Sequence, residues 1–375
     1  RITCHNVNLT GPVFRLHVAR RRMRAVGTES MPGASTSRAM RFIVWALTLA
    51  LSAQCAQFAI LYNGMLEEPR FSFEDYVDGE AHRPFAYRML VPALLRGIDA
   101  VTPTGLDTRL DEASSAIMTR PADPRPITTG PENKYPRMIL WLAAFDALCL
   151  FGYALIGSSL LRRLFPDTKL GLVAPLLFVV LVRVVLDQRF SHYYDFATLL
   201  LMASLVWALA SERHLLFLAV FAVACLNKET AILASVGYAA VFFGRLPWPR
   251  YWAVLALQAA IFLAIYLFAR LTHADNPGVG LEVWIPEQIA YLRQQPAGFF
   301  LVVTLNAFLV TFRWSEKPQI FHRLALMVGA NAALFALGGY PGEYRAFFEV
   351  YLVLSLLVLR NAELIGRQWS MARAI

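Results

Sequence analysis

Charged and aromatic side chains interrupt an apolar chain at DQRFSHYYDF, residues 187–196, directly before a long hydrophobic run. The stretch contains Arg189, His192, Tyr194 and Asp195. Carboxylate and imidazole groups can take up a proton from a hydroxyl, and a guanidinium can hold an anion. Asp195 by itself also suits a plain helix start, because an acid there caps the helix and meets its dipole favourably. The stretch as a whole predicts a site that binds sugar hydroxyls or orients a base.

Two further stretches, NKET and GEYR, place charges beside apolar segments. NKET contains Lys228 and Glu229, and GEYR contains Glu343 and Arg345. Buried charges are costly unless they pair or meet a ligand. Adjacent helical residues point in different directions, so Lys228 and Glu229 are expected to find partners elsewhere. Arg345 suits a phosphate, although an arginine reaching toward water from a helix end is the plainer interpretation.

A fourth polar stretch, residues 66–98, is rich in carboxylates. Its acids are Glu67, Glu68, Glu74, Asp75, Asp78 and Glu80. RPFAYR follows them and supplies Arg83 and Arg88. A correctly placed carboxylate in this region could serve as a general base toward an acceptor hydroxyl. A solvated acidic loop explains the same residues equally well.

The composition places these polar stretches in a membrane protein. Of the 375 residues, 57% are hydrophobic and only 16% are charged, and the mean hydropathy is +0.49. Soluble domains are less apolar and carry about 25% charged residues. The four cysteines are scattered, which excludes a disulfide framework or a cysteine-based zinc site. The net charge of +9 comes from arginines that flank apolar segments, so it indicates membrane topology and no nucleic-acid partner.

The hydrophobic runs predict an all-α bundle of about ten transmembrane spans in a lipid bilayer. The spans are expected near 42–62, 138–160, 170–186, 194–210, 214–227, 230–244, 251–270, 297–312, 323–339 and 346–360. The short pair 214–227 and 230–244 is either a tight hairpin or a re-entrant pair. Residues 85–101 are apolar but contain arginines, which favours an interfacial helix.

Three parts of the chain follow from these spans. Residues 1–40 are expected to be a basic cytoplasmic leader, and residues 41–362 form the transmembrane domain. Within that domain, residues 63–137 form a long extracytoplasmic loop. After the domain, residues 363–375 are expected to form a cytoplasmic tail. Lysines and arginines concentrate in alternate loops, which predicts that both termini are cytoplasmic and that all four polar stretches face outside.

The arrangement resembles the GT-C class of integral-membrane glycosyltransferases. The shared features are a cytoplasmic N-terminus, an acidic loop with interfacial helices after the first span, and about ten spans. The stretches RPFAYRMLVPALL, YYDFATLLLMASLVWAL, LNKETAIL and GEYRAFFE also look like those of bacterial membrane proteins grouped near that class. The resemblance covers residues 42–360, and it implies a bacterial inner-membrane enzyme whose active face is extracytoplasmic.

The resemblance also implies roles for particular residues. The donor would be a sugar on a polyprenyl phosphate or diphosphate. Asp75 or Asp78 would be the base, with Glu80 as a further candidate. Phosphate contacts would come from Arg83, Arg88, Lys228 and Arg345, and the sugar pocket from His192, Tyr194, Asp195 and Glu229. Acids of this kind could hold Mg²⁺ or Mn²⁺, which leaves the metal question open.

Two other functions fit the sequence. In a transporter or flippase, Asp146 and the other intramembrane charges would mark a pathway through the full membrane depth. In a non-catalytic partner of an envelope enzyme, the rim charges would pair with one another without a cavity. Because the polar stretches are expected on one side and only Asp146 lies deep, the sequence favours the enzyme.

Overall fold

The computed structural model describes residues 38–63, 65–66, 72–118, 134–186, 191–280, 283–340 and 343–372. Within these ranges the chain forms helices and no strand, apart from one isolated bridge between Arg83 and Gly278. The predicted all-α bundle is therefore confirmed as a helical bundle. The predicted leader lies almost entirely outside the described residues, as do parts of the first loop at 67–71 and 119–133.

The first part of the chain contributes one long helix and a series of short ones. They are α1 (Arg38–Tyr62), α2 (Phe73–Asp78), α3 (Leu90–Val101) and α4 (Asp107–Met118). The rest of the bundle is α5 (Pro136–Leu164), α6 (Ala174–Leu186), α7 (Asp195–Ala210), α8 (His214–Asn227), α9 (Leu233–Phe242), α10 (Trp248–Thr272), α11 (Ile285–Gln294), α12 (Pro296–Thr311), α13 (Gln319–Gly338) and α14 (Tyr351–Ala372).

Each of the ten apolar segments expected from the sequence overlaps one of these helices. Four helices, α1, α5, α10 and α13, are long and apolar enough to cross a membrane. The helices α6, α7, α8 and α9 are apolar but shorter than the roughly 20 residues that a spanning helix needs. The structure thus supports membrane-spanning helices, while the count of ten spans and the topology stay predictions.

The apolar face of α10 shows how the bundle meets its surroundings. Leu263, Leu267, Phe268 and Leu271 are between 51% and 77% exposed, although all four are large and apolar. Such a continuous exposed apolar face is unusual on a soluble protein and suits contact with lipid tails.

Close helix packing in the core depends on small residues of α5. Gly152 faces Leu200 of α7, and Gly157 faces the ring of Phe178 in α6. A Cβ added at either position would come within 2.9 Å of the neighbouring side chain. Small residues let helices pack closely, which matters in a membrane because no hydrophobic force drives helices together there.

Two boundaries differ from the sequence-based expectation. The interfacial helix begins at Leu90, because Phe85–Tyr87 forms a separate 3₁₀ turn that ends at Arg88. The last helix, α14, continues to Ala372 and so includes most of the predicted tail 363–375. Glu363 and Arg367 form an ion pair one turn apart there, at 2.7 Å, and such pairs stabilise a helix.

Replacing Gly157 by alanine is expected to destabilise the fold by about 1–3 kcal/mol, because the new methyl group would push against a fully buried Phe178. The thermal unfolding midpoint in detergent measures the change. The matched control is Gly97→Ala in α3, where no atom lies within 4 Å of the added Cβ and alanine is the better helix former. Equal midpoints for the two variants would contradict the packing.

Candidate functional site

Polar side chains, all but one of them charged, come from four separate parts of the chain and meet at one end of the bundle. We name this set the polar cluster; its members are Arg88, Tyr194, Asp195, Lys228, Glu229, Glu343, Arg345 and Glu349. They come together because each lies at a helix end: before α3, at the start of α7, between α8 and α9, or before α14. The turns at the other ends of α5 and α7 carry a different set of polar contacts, such as Arg163 to Ser211.

The first part of the polar cluster is a buried ion pair between the first loop and the α8–α9 connection. The Arg88 guanidinium contacts both carboxylate oxygens of Glu229, at 2.9 and 3.4 Å. It also donates to the Tyr194 hydroxyl and lies 4.2 Å from the centre of that ring. The Arg88 side chain is only 8% exposed, whereas that of Glu229 is 30% exposed. Glu229 therefore keeps one side open to a ligand.

The second part joins Lys228 to Glu349. The Lys228 ammonium lies 2.7 Å from Oε1 of Glu349, and the Thr230 hydroxyl donates to the same oxygen. The expectation that Lys228 finds a partner far along the chain is confirmed. Glu349 itself was missed from the sequence, although an acid in the apolar run AFFEV is the signal that could have revealed it. Its other oxygen, Oε2, is buried with no hydrogen-bond partner among the described residues.

The third part joins α7 to the segment before α14. Arg345 contacts Asp195 Oδ2 at 3.4 Å and Glu343 Oε1 at 2.8 Å. Asp195 Oδ2 also accepts the backbone N–H of His192 at 2.8 Å. The expected capping is absent, because Tyr194 is the cap residue of α7 and no side chain caps this helix; Asp195 lies in the first turn, where an acid meets the helix dipole favourably. The Arg345 Nε atom is buried without a hydrogen-bond partner in the described part of the chain. One strong donor is thus left over at this point.

Neighbouring side chains hold the polar cluster in place. Asn227 donates to Thr198 Oγ1 at 2.9 Å and to the Tyr194 carbonyl at 3.2 Å, which ties α8 to α7. The His192 ring packs edge-on against Phe85, with centroids 5.3 Å apart. These contacts fix Tyr194 from both sides. Arg189, the remaining candidate of this stretch, lies outside the described residues.

Two of the three first-loop candidates have local structural partners. Asp75 forms a capping box with Ser72 at the start of α2. Asp78 accepts hydrogen bonds from Lys134 at 2.9 Å and Tyr135 at 2.6 Å. Burial pushes the pKa of Asp78 upward, but these hydrogen bonds outweigh it and hold the pKa below its usual range. Neither acid contacts the polar cluster in the described part of the chain.

Glu80 is held differently. The carbonyls on both sides of it, from Gly79 and Ala81, accept hydrogen bonds from Asn276 at 2.8 and 2.9 Å. His273, which caps the end of α10, also contacts the Gly79 carbonyl. The Glu80 side chain is exposed and forms no ion pair with a described residue. The backbone around this carboxylate is fixed while the carboxylate itself is available.

Arg83 belongs to the same set of contacts, which we name the strap and which is formed by Arg83, His273 and Asn276. Its guanidinium donates to the carbonyls of Ala274 and Gly278, at 3.2 and 2.8 Å, and its backbone bridges to Gly278. Arg83 was expected to contact a phosphate, but most of its donors bind carbonyls of the loop after α10. Arg83 therefore positions the segment between Glu80 and Arg88.

A small, open groove with a cavity volume of about 10 Å³ lies beside the polar cluster. Its walls come from the 3₁₀ turn before α3, from α8 and from α10, with Glu229 at the charged end. The lining residues are Tyr87, Cys225, Glu229, Phe262, Ile265, Tyr266 and Ala269. Its walls combine apolar side chains with the tyrosine hydroxyls, the Cys225 thiol and Glu229, and the space has room for about one water molecule, far less than a whole ligand fills.

Asp146 lies apart from the groove, deep in α5. It is fully buried, and neither carboxylate oxygen has a hydrogen-bond partner among the described residues. The sequence left open whether this acid bonds to a neighbouring helix, and the described helices supply no such bond. In the described part of the chain, no three His, Cys, Asp or Glu side chains converge at one point.

Neither a known family model, nor a curated protein, nor a solved structure matches this chain.

Replacing Arg88 by methionine is expected to destabilise the protein by about 3 kcal/mol, because it leaves the Glu229 carboxylate without its buried counter-charge. Adding Glu229→Gln should recover much of this loss, since the double variant removes both charges. The unfolding midpoints of the single and double variants test this coupling.

The control for this cycle is Arg245→Met. Arg245 pairs with Glu212 at the surface, where the side chains are 45% and 58% exposed, and it should cost less than about 1 kcal/mol. If Arg88→Met were as mild as Arg245→Met, the buried pair would not stabilise the site.

Proposed function

We propose that this protein is a membrane glycosyltransferase that takes a sugar from a polyprenyl-phosphate donor at the polar cluster. The observation that carries the proposal is the junction of two features at Glu229: a small groove beside the apolar, lipid-facing helix α10, and a buried set of charges. A polyprenyl phosphate has the same two parts, a hydrocarbon chain and an anionic head. The chain lies against α10 in the bilayer with its first unit next to the groove, and the polar cluster receives the head and its sugar.

The head group meets the donors that the cluster leaves available. Arg345 contributes the buried Nε that has no partner in the described chain, and an arginine fork matches phosphate oxygens well. Arg88 and Lys228 add fixed positive charge nearby, although each already contacts a carboxylate. Fixed cations of this kind stabilise the charge that grows on a departing phosphate.

Glu80 is the carboxylate that we assign to the acceptor. Asp75 and Asp78 stabilise local structure, whereas Glu80 is exposed between two clamped carbonyls. The clamp joins it to the end of α10, one turn beyond the groove residue Ala269. An acid fixed next to the end of α10 can take a proton from a hydroxyl that approaches there.

The reaction at this site is a single displacement. Glu80 removes the proton of the acceptor hydroxyl while that oxygen bonds to the anomeric carbon of the sugar. The bond from the anomeric carbon to the phosphate oxygen breaks, and the electron pair leaves with the polyprenyl phosphate. No step needs an oxidant, a reductant or a metal from the described residues.

One observation favours a second function, transport. Asp146 is a fully buried acid without a hydrogen-bond partner in the described chain, and acids at such depth often mark an ion or proton pathway. In this alternative the protein would move a solute across the membrane without releasing polyprenyl phosphate.

The test uses the full chain in vesicles, with a panel of polyprenyl-phosphate sugars and a cell-envelope extract that supplies acceptors. Release of free polyprenyl phosphate is the readout, because every transfer produces it whatever the acceptor. Glu80→Gln is expected to lower release by about 100-fold or more while lipid binding persists, since a general base contributes that much.

Glu212→Gln is the matched control, because Glu212 is also exposed and lies in the turn between α7 and α8. It should leave release unchanged. Equal release by Glu80→Gln and the wild type would refute the assigned base. Solute movement across the vesicles without any lipid release would favour the transporter.

A further inference from the structure

The polar cluster contains more carboxylates than cations. Among the described residues it contains four carboxylates, from Asp195, Glu229, Glu343 and Glu349, but three cations, from Arg88, Lys228 and Arg345. A site built only to hold a phosphate would have the opposite balance, because the anion brings its own negative charge. Glu229 and Glu343 are partly exposed, so water stabilises their charges, and the carboxylate that needs a further donor is the buried one of Glu349.

Glu349 shows where that charge belongs. Its side chain is 1% exposed, and Oε1 receives both Lys228 and Thr230. The second oxygen, Oε2, is buried and has no donor in the described part of the chain. Buried polar atoms are normally satisfied, so an orphan oxygen in a fixed network calls for an explanation. A ligand N–H group supplies one.

Asn227 provides a second free acceptor in the same network. Its amide nitrogen is fully used by Thr198 and the Tyr194 carbonyl, which fixes the orientation of the side chain. Its Oδ1 atom is buried without a hydrogen-bond partner among the described residues. Asn227 directly precedes Lys228, the residue that pairs with Glu349. Two acceptors thus remain for a donor-rich group.

We infer that the transferred group carries a free amine, which binds as an ammonium to Glu349 Oε2 and Asn227 Oδ1. The ligand is then an amino sugar on a polyprenyl phosphate, with its phosphate at Arg345 and its ammonium at Glu349. This inference rests on the proposed function and narrows its substrate class. A neutral sugar would leave the buried carboxylate oxygen without a charged donor, and an N-acetylated sugar would bring no charge.

The test compares three lipids on the full chain in nanodiscs: polyprenyl-phosphate glucosamine, its N-acetyl form and polyprenyl phosphate alone. Dissociation constants are measured for each. The free amine is expected to bind about tenfold or more tightly than the N-acetyl form, because a hydrogen bond to a charged group is worth that much. Equal binding of the two sugar lipids overturns the inference but leaves the lipid site standing. No binding of any of the three overturns the proposed function itself.

Glu349→Gln assigns the preference to the residue. The amine preference should fall to about threefold or less in this variant. The preference is a ratio between two lipids that carry the same phosphate, so the release of Lys228 from Glu349 affects both alike. The matched control, Glu363→Gln, alters a 6% exposed glutamate further along α14 that pairs with Arg360 and Arg367. It should keep the preference.

Lys228→Met provides a second variant should Glu349→Gln fail to fold. It frees Oε1 of Glu349 as well, so the ratio of amine to N-acetyl affinity should rise. The ratio is insensitive to a general loss of phosphate binding, because both lipids carry the phosphate. A preference that persists in Glu349→Gln, or a ratio that falls in Lys228→Met, would overturn the assignment to Glu349.

Discussion

The rest of the structure depends on the cost of placing charges at the end of an apolar bundle. An unpaired charge in such surroundings is strongly unfavourable, and leaving one member of a buried pair alone costs several kcal/mol. Arg88, Lys228 and Arg345 each meet that constraint by contacting a carboxylate from another helix end. These contacts tie the first loop to the α8–α9 connection, that connection to the start of α14, and α7 to the segment before α14. The charges therefore determine how the helix ends meet.

The same constraint explains how the site and the groove are joined. Arg88 lies at the end of the 3₁₀ turn whose Tyr87 lines the groove, and its partner Glu229 closes the charged end. The strap formed by Arg83, His273 and Asn276 holds the other end of that segment to the loop after α10. The segment from Glu80 to Arg88 is thereby fixed at both ends. An exposed acid, a small groove and a buried set of charges follow one another along it.

The sequence predicts the helices well and the pairings poorly, and the reason is physical. Apolar runs define helices locally, so each of the ten expected segments overlaps an observed helix. The partners of charged residues depend on tertiary structure: Arg88 and Glu229 are 141 residues apart, and no local pattern joins them. Glu349 lies inside an apolar run, where an acid is a visible signal that was passed over. Asp75 looked catalytic because its role in a capping box depends on the helix that it caps. The roles of these residues in catalysis stay predictions.

Photo-crosslinking tests the central claim, that a polyprenyl phosphate binds with its first isoprene unit next to the groove beside the polar cluster. A polyprenyl phosphate with a diazirine on its first isoprene unit would be bound to the full chain in nanodiscs, illuminated, and mapped by peptide mass spectrometry. The account predicts adducts on Phe262, Ile265 and Tyr266, which line the groove, and their loss when unlabelled polyprenyl phosphate is added. Adducts instead on Leu263, Leu267 and Phe268, on the exposed face of the same helix and insensitive to competition, would contradict it.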